Sequence, residues 1–180
     1  MSDRDTRILE AATRLFLRDG VGVSTARIAA EAGVSNGTLF NVFPTKQALI
    51  DGIYTAAKRA MFAALVHSGP APLDRARLYA NWQGYLAWAR ANPDQRAVMH
   101  LLAEAGLVSQ TARNEMDRLA APHAAWVHRA LDSGAIRGPS ASFVAKLVFF
   151  QIDLVITEDL PDPQADLAFA MLCNALGLAE

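Results

Sequence analysis

The sequence predicts an all-α protein: an N-terminal head of three short helices, joined by a long fourth helix to a C-terminal helical body. Three observations predict it. No run of residues sustains the apolar–polar alternation of a half-buried strand, whereas apolar residues recur three and four apart through most of the chain. Ser24, Ser35, Thr45 and Ser140 stand where helices would start, and Gly20, Gly33, Pro44 and Gly134 stand where they would stop. Finally, 52% of the 180 residues are apolar, more than so small a chain can hide internally. The surplus is expected to line a subunit interface or a ligand cavity.

The elements follow in order. A first helix is expected over 5–19, burying Ile8, Ala12, Leu15 and Phe16, with Gly20 as a left-handed cap. A short second helix over 25–32 is started by Ser24 or Thr25. Gly33-Val34 makes a tight turn, and a third helix over 36–43 is capped by Ser35 and stopped by Pro44. Thr45 caps a fourth that can run to about residue 67, before the linker-like stretch 68–72. Further helices are expected over 73–91, from Asn92-Pro93 to about 105, and over 111–133, 140–158 and 163–176. Pro122 is expected to bend the 111–133 helix. The division into domains is expected at 1–50 and 51–180.

Composition excludes several classes. No stretch of about 18 uncharged apolar residues indicates a membrane span, and the polar N-terminus lacks a signal-peptide core. One cysteine, Cys173, rules out an internal disulfide framework and fits a reducing cytoplasm; its apolar neighbours mark it as buried filler. Net charge is −1, and residues 1–58 hold seven basic against six acidic side chains, so there is no bulk polycation. A nucleic-acid role must come from local chemistry.

That chemistry lies in residues 24–43, which have the physics of a helix-turn-helix. Ile28, Ala29 and Ala32 face inward, Gly33 supplies a positive φ, Val34 plugs the corner, and Leu39 and Phe43 pack the second helix back. Asn36, Gly37, Thr38, Phe40 and Asn41 remain outside. Asn can pair bidentately with adenine, and Thr or Phe can meet a thymine methyl. Ser24, Thr25, Arg27, Ser35 and Lys46 complete the DNA-facing set, their hydroxyls, capped N–H groups and cations suited to phosphate.

The run Thr25-Ala-Arg-Ile-Ala-Ala-Glu-Ala-Gly-Val-Ser-Asn-Gly-Thr-Leu-Phe-Asn-Val-Phe-Pro-Thr-Lys-Gln-Ala-Leu49 resembles the signature of the TetR family of repressors. The resemblance is strong over about residues 5–55 and extends beyond them only in length and helical layout. It implies a homodimer, each subunit carrying a three-helix DNA head, a connecting fourth helix and a ligand-binding helical body. It also implies that Thr25, Lys46 and the aromatic at position 40 meet the DNA backbone, while positions 35–38 and 41 face bases. Two positions depart from the pattern: Phe40 stands where the family usually has Tyr, and Val42 where it has Tyr or His. Neither can donate a hydrogen bond to phosphate.

In the body, residues 140–158 carry one apolar stripe of Phe143, Leu147, Phe150 and Leu154 and another of Val144, Val148 and Val155. A helix apolar on two sides must be buried on two sides. The candidate dimer interface is Phe143, Leu147, Phe150 and Leu154 with Met171 and Leu172 of the last helix; the alternative is a central helix of a monomeric bundle. Aromatics gather at Tyr79, Trp82, Tyr85 and Trp88. Trp82, Tyr85 and Trp88, with Met99 and Trp126, are candidate walls for an apolar or weakly polar small-molecule inducer, against the alternative that they are plain core.

His67, His100, His123 and His128 raise a metal reading, and His100 and Glu104 share a helical face, yet no third ligand stands at a recognisable spacing. No metal and no cofactor are expected. Neither a Gly-x-Ser-x-Gly turn nor a Gly-rich phosphate loop after a strand occurs, so no enzyme is expected. The expectation is a cytoplasmic, ligand-responsive repressor that binds a palindromic operator as a homodimer. The alternatives are a ligand-independent DNA-binding dimer and a helical enzyme or carrier keeping the head as scaffold.

Overall fold

The structure is a computed structural model and describes residues 2–65 and 71–178. Among them run nine helices and no strand: α1 (Asp3–Asp19), α2 (Thr25–Glu31), α3 (Asn36–Val42), α4 (Lys46–Ala63), α5 (Arg75–Ala91), α6 (Pro93–Glu104), α7 (Gln110–Asp132), α8 (Ala141–Thr157) and α9 (Asp162–Leu176). The all-α expectation holds. His67, the expected end of the fourth helix and most of the 68–72 stretch lie outside the described residues.

Local chemistry sets most helix ends. Ser2 and Asp5 form a reciprocal capping box, which starts α1 two residues before the expected position. The hydrogen bond from the Ser2 side chain, with that from its backbone, holds the Asp5 carboxyl below the usual carboxylate range. Gly20 ends α1 with φ 82° and ψ 164°, a positive φ but an extended ψ, so it is not the left-handed cap expected. Ser24, Ser35 and Ser140 each accept a backbone N–H of the first turn of α2, α3 and α8. Thr45 does the same for α4, Asp74 for α5 and Ser109 for α7. Helix α7 runs on through Pro122, which has no N–H to offer the carbonyl of Arg118.

The chain divides into two compact units. The first comprises Met1–Ala60 and Asn92–Asp117. Its core gathers Ile8, Leu15 and Phe16 of α1, Ile28 of α2, Leu39 of α3 and Leu49 of α4, together with Val98 and Leu102 of α6. Val98 and Leu102 stand one turn apart, and that face of α6 packs on α1. Asp51 of α4 accepts from the Ser109 N–H at 2.9 Å and from Gln47 at 3.0 Å, while Gln47 also donates to the Leu107 carbonyl at 2.9 Å. An Arg59–Glu115 ion pair adds a further tie between α4 and α7. Gly52 is small because it must be: a Cβ there would lie 2.7 Å from the Phe43 ring.

The second unit comprises Met61–Ala91 and Arg118–Glu180. Helices α5, α8 and α9 pack together in it. Val144, Ile152 and Val155 of α8 are buried, as are Phe169, Leu172 and Leu176 of α9. Gln151 of α8 donates to the Ala168 carbonyl at 2.6 Å, Tyr79 of α5 donates to Asp166 at 2.9 Å, and Arg90 pairs with Asp162 at 2.8 Å. Gly84 of α5 lies against the carbonyl oxygen of Ala64, where no Cβ would fit. Cys173 is wholly buried, and burial pushes its thiol pKa up, the opposite of an activated nucleophile.

Candidate nucleic-acid interface and ligand cavity

The candidate reading element is α3, and its placement follows from the turn before it. Helix α2 ends when Ala32 N–H donates to Ile28 O, Gly33 turns the chain with φ 65°, and Val34 N–H returns to Ala29 O at 3.0 Å. Small Ala29 and Ala32 are buried at this crossing, and Leu39, 0% exposed, anchors α3 from below. Asn36, Gly37 and Asn41 are left exposed, Phe40 is 38% exposed, and Thr38 is half-buried. These are the side chains expected to face outward. Thr38 is partly committed: its hydroxyl lies 2.8 Å from that of Ser35, which also accepts the Thr38 N–H at 3.0 Å.

The expected phosphate anchors carry ties of their own. Ser24 caps α2 through the Arg27 N–H, and Thr25 is the first helical residue. The Arg27 guanidinium sits 3.0 Å from Asp19, whose carboxyl Arg18 holds below its usual range. Lys46 Nζ donates to the Val23 carbonyl at 2.8 Å, which fixes the start of α4 to the loop before α2. An ammonium has three protons, so two remain for a phosphate. Phe40 and Val42 supply no donor.

In the second unit a cavity of about 350 Å³ opens between α5, α7 and α8. Its walls include Phe62, Trp82, Tyr85, Trp126, Phe149 and Ile152, and no Asp, Glu, Lys or Arg is among the described lining residues. Trp82, Tyr85 and Trp126, three of the expected walls, are therefore brought together. Two others are not. Trp88 lies beyond Tyr85, ring against ring at 5.7 Å, and does not line the cavity. Met99 sits on α6 in the other unit, buried there, because the helix carrying it packs on α1. Periodicity alone does not mark Asn81, Phe62, Val148 and Phe149 as walls, yet all four line the cavity. Asn81 carried one legible signal, an amide beside Trp82 in an otherwise apolar and aromatic stretch.

The polar groups of the walls differ in their commitments. Trp126 Nε1 donates to the Ala71 carbonyl at 3.0 Å. Asn81 Nδ2 donates to the Arg77 carbonyl at 3.0 Å, but its Oδ1 is buried without a hydrogen-bond partner among the described residues. The Nε1–H of Trp82, a residue 0% exposed, is in the same condition. His123 packs on Phe62 with ring centroids 5.6 Å apart. Among the described residues no three His, Cys, Asp or Glu side chains are placed to share a metal ion.

The expected interface residues fall into two groups. Phe143, Phe150 (69% exposed), Leu154 and Met171 (62%) form an exposed apolar set, joined by Leu167, and Leu147 is half-buried. Leu172 is 1% exposed and belongs to the core of its own protomer. Met171 and Leu172 are consecutive, hence about 100° apart around the helix, and cannot share one narrow outer stripe. No helix among the described residues is long and apolar enough to cross a membrane.

Comparison with known proteins agrees with this architecture. Residues 8–53 match the family model of bacterial regulatory proteins of the tetR family. A protein of Shewanella sp. PV-4 assigned to the tetR-family transcription regulators is 26% identical, with a TM-score of 0.83 over 97% of this chain and 98% of that one. A TetR-family transcription regulator from Marinobacter aquaeolei VT8 (20% identity, TM-score 0.81, 96% and 95% covered) has the same fold. So has a tetR-family bacterial regulatory protein from Rhodococcus RHA1 (19% identity, TM-score 0.79, 100% of both chains). The helix-turn-helix head thus matches the model of the tetR-family regulators over residues 8–53, and the chain shares the fold of these transcription regulators along its length.

Proposed function

We propose that the protein is a ligand-responsive repressor that binds a palindromic operator as a homodimer in the cytoplasm. The observation that carries the ligand-responsive part is the charge-free cavity of the second unit, walled by Trp82, Tyr85 and Trp126. A cavity of this size falls in the range of small-molecule sites, roughly 300–1,000 Å³. Helix α3 supports operator reading because its outer face is small, polar and exposed, with Asn36 and Asn41 free to reach base edges. The apolar set on α8 and α9 supports the dimer, since a lone protomer would leave it in water. An apolar or weakly polar effector would favour a body conformation in which the two heads no longer suit the half-site spacing, and operator affinity would fall.

Selection from random duplexes is expected to return an inverted repeat, with recognition helices about 34–36 Å apart. Recovery of nothing above non-specific binding at low salt would remove the repressor reading. Within the selected site, Asn36→Ala and Asn41→Ala are expected to relax base preference by about 1–3 kcal/mol each if bidentate. Lys46→Ala should weaken all duplexes alike and lower the salt slope by about one. Base-selective loss from Lys46→Ala, with both Asn variants neutral, would reverse these roles.

A further inference from the structure

We propose that the effector is a neutral, mainly hydrocarbon molecule bearing a hydroxyl-type group, and that α5 recognises that group through Trp82 and Asn81. The inference rests on the reading of the cavity as the effector site and names the chemistry that site accepts. Trp82 Nε1–H would donate to the ligand oxygen, and Asn81 Oδ1 would accept the hydroxyl proton. Both residues line the cavity, and each holds one buried polar atom without a partner among the described residues. Buried polar atoms are rarely left so, because each forfeits its water without replacement. The other indole N–H on the walls, that of Trp126, is already donated to Ala71.

The amide of Asn81 is not free to exchange roles. One proton of its Nδ2 goes to the Arg77 carbonyl one turn back, which fixes which way the amide is turned, and Oδ1 is the buried atom left without a partner among the described residues. Asn81 and Trp82 are consecutive on one helix, and a donor beside an acceptor complements one group that both accepts and donates. A hydroxyl does this; an ether or ketone only accepts, and a carboxylate brings a charge. The described lining residues offer no Lys or Arg to pair an anion and no Asp or Glu to pair a cation; the titratable groups on the walls are Tyr85, His123 and His128. Burying an unpaired charge there would cost far more than a hydroxyl.

The test uses the full-length protein and three probes of one chain length, 1-octanol, 1-methoxyoctane and octanoate, titrated by calorimetry. Octanol is expected to bind tightest, with the ether about threefold to tenfold weaker for want of the bond to Asn81. Octanoate should be weaker than both. Asn81→Leu should erase the preference for alcohol over ether. Trp82→Phe should weaken alcohol and ether by a similar factor, and if that variant does not fold, the Asn81→Leu comparison still decides. Equal affinities for alcohol and ether, a preference for octanoate, or an alcohol preference that survives Asn81→Leu would overturn the inference while leaving the cavity as a ligand site. Failure of all three probes to bind would overturn both the inference and the effector-site reading.

Discussion

Replacing Phe150 by arginine is expected to turn a folded dimer into a folded monomer and to abolish operator binding at concentrations where the wild type saturates. Phe150 is 69% exposed in the protomer, so the change removes nothing the fold depends on. Phe143, Leu154, Leu167 and Met171 are large apolar side chains on α8 and α9 that are exposed as well. In a two-fold interface each appears twice, so one substitution places two unpaired cations in an apolar contact. Losing a central anchor typically costs about 2 kcal/mol or more, and two copies raise the dissociation constant on the order of a thousandfold. Sedimentation should show the shift while circular dichroism stays unchanged. Ile152→Arg, on the opposite, buried face of the same helix, is expected to unfold the protein instead. A wild-type protein sedimenting as a monomer at micromolar concentration would remove the premise.

Gly84→Ala is the second large expectation, and its sign runs against helix propensity. In an exposed helix interior, alanine would stabilise by up to about 1 kcal/mol. At position 84 the added methyl would overlap the carbonyl oxygen of Ala64, a backbone atom that cannot rotate aside. The net result should be a loss of about 1–3 kcal/mol, as for other overpacked sites. A unit of this size would then melt about 4–8 °C lower for each kcal/mol lost. Gly37→Ala is the control: the nearest atom to its Cβ is Ser35 Oγ at 3.8 Å, so the variant should gain stability. If both variants moved the melting temperature in the same direction, the close approach at Gly84 would not be what limits that position.

The contrast between these glycines shows what a sequence can and cannot carry. Caps are local, so Ser24, Ser35 and Ser140 mark true helix starts, and the inward set Ile28, Ala29, Ala32 and Leu39 is legible from spacing alone. Outward positions on α3 follow by subtraction. Nothing local says that α6 packs on α1, and so Met99, read as a cavity wall, lies in the other unit. Trp88 and Leu172 fail for a finer reason. An apolar helix offers several neighbouring faces, and only its packing partner decides which one meets a cavity, a core or another protomer. The amide of Asn81 in an aromatic stretch is a faint sequence signal, and only the buried oxygen left without a partner among the described residues gives it weight.

Trp82, Trp88 and Trp126 all belong to the second unit, while the first has Tyr54 and phenylalanines but no tryptophan. The protein therefore carries an optical label confined to one half of its mass. Indole emission during denaturation follows the body alone, whereas the far-ultraviolet helix signal sums both units. Superimposable transitions would mean that head and body melt as one cooperative block; separated ones would give each half its own stability. In either case the head unfolds silently to the commonest fluorescence assay.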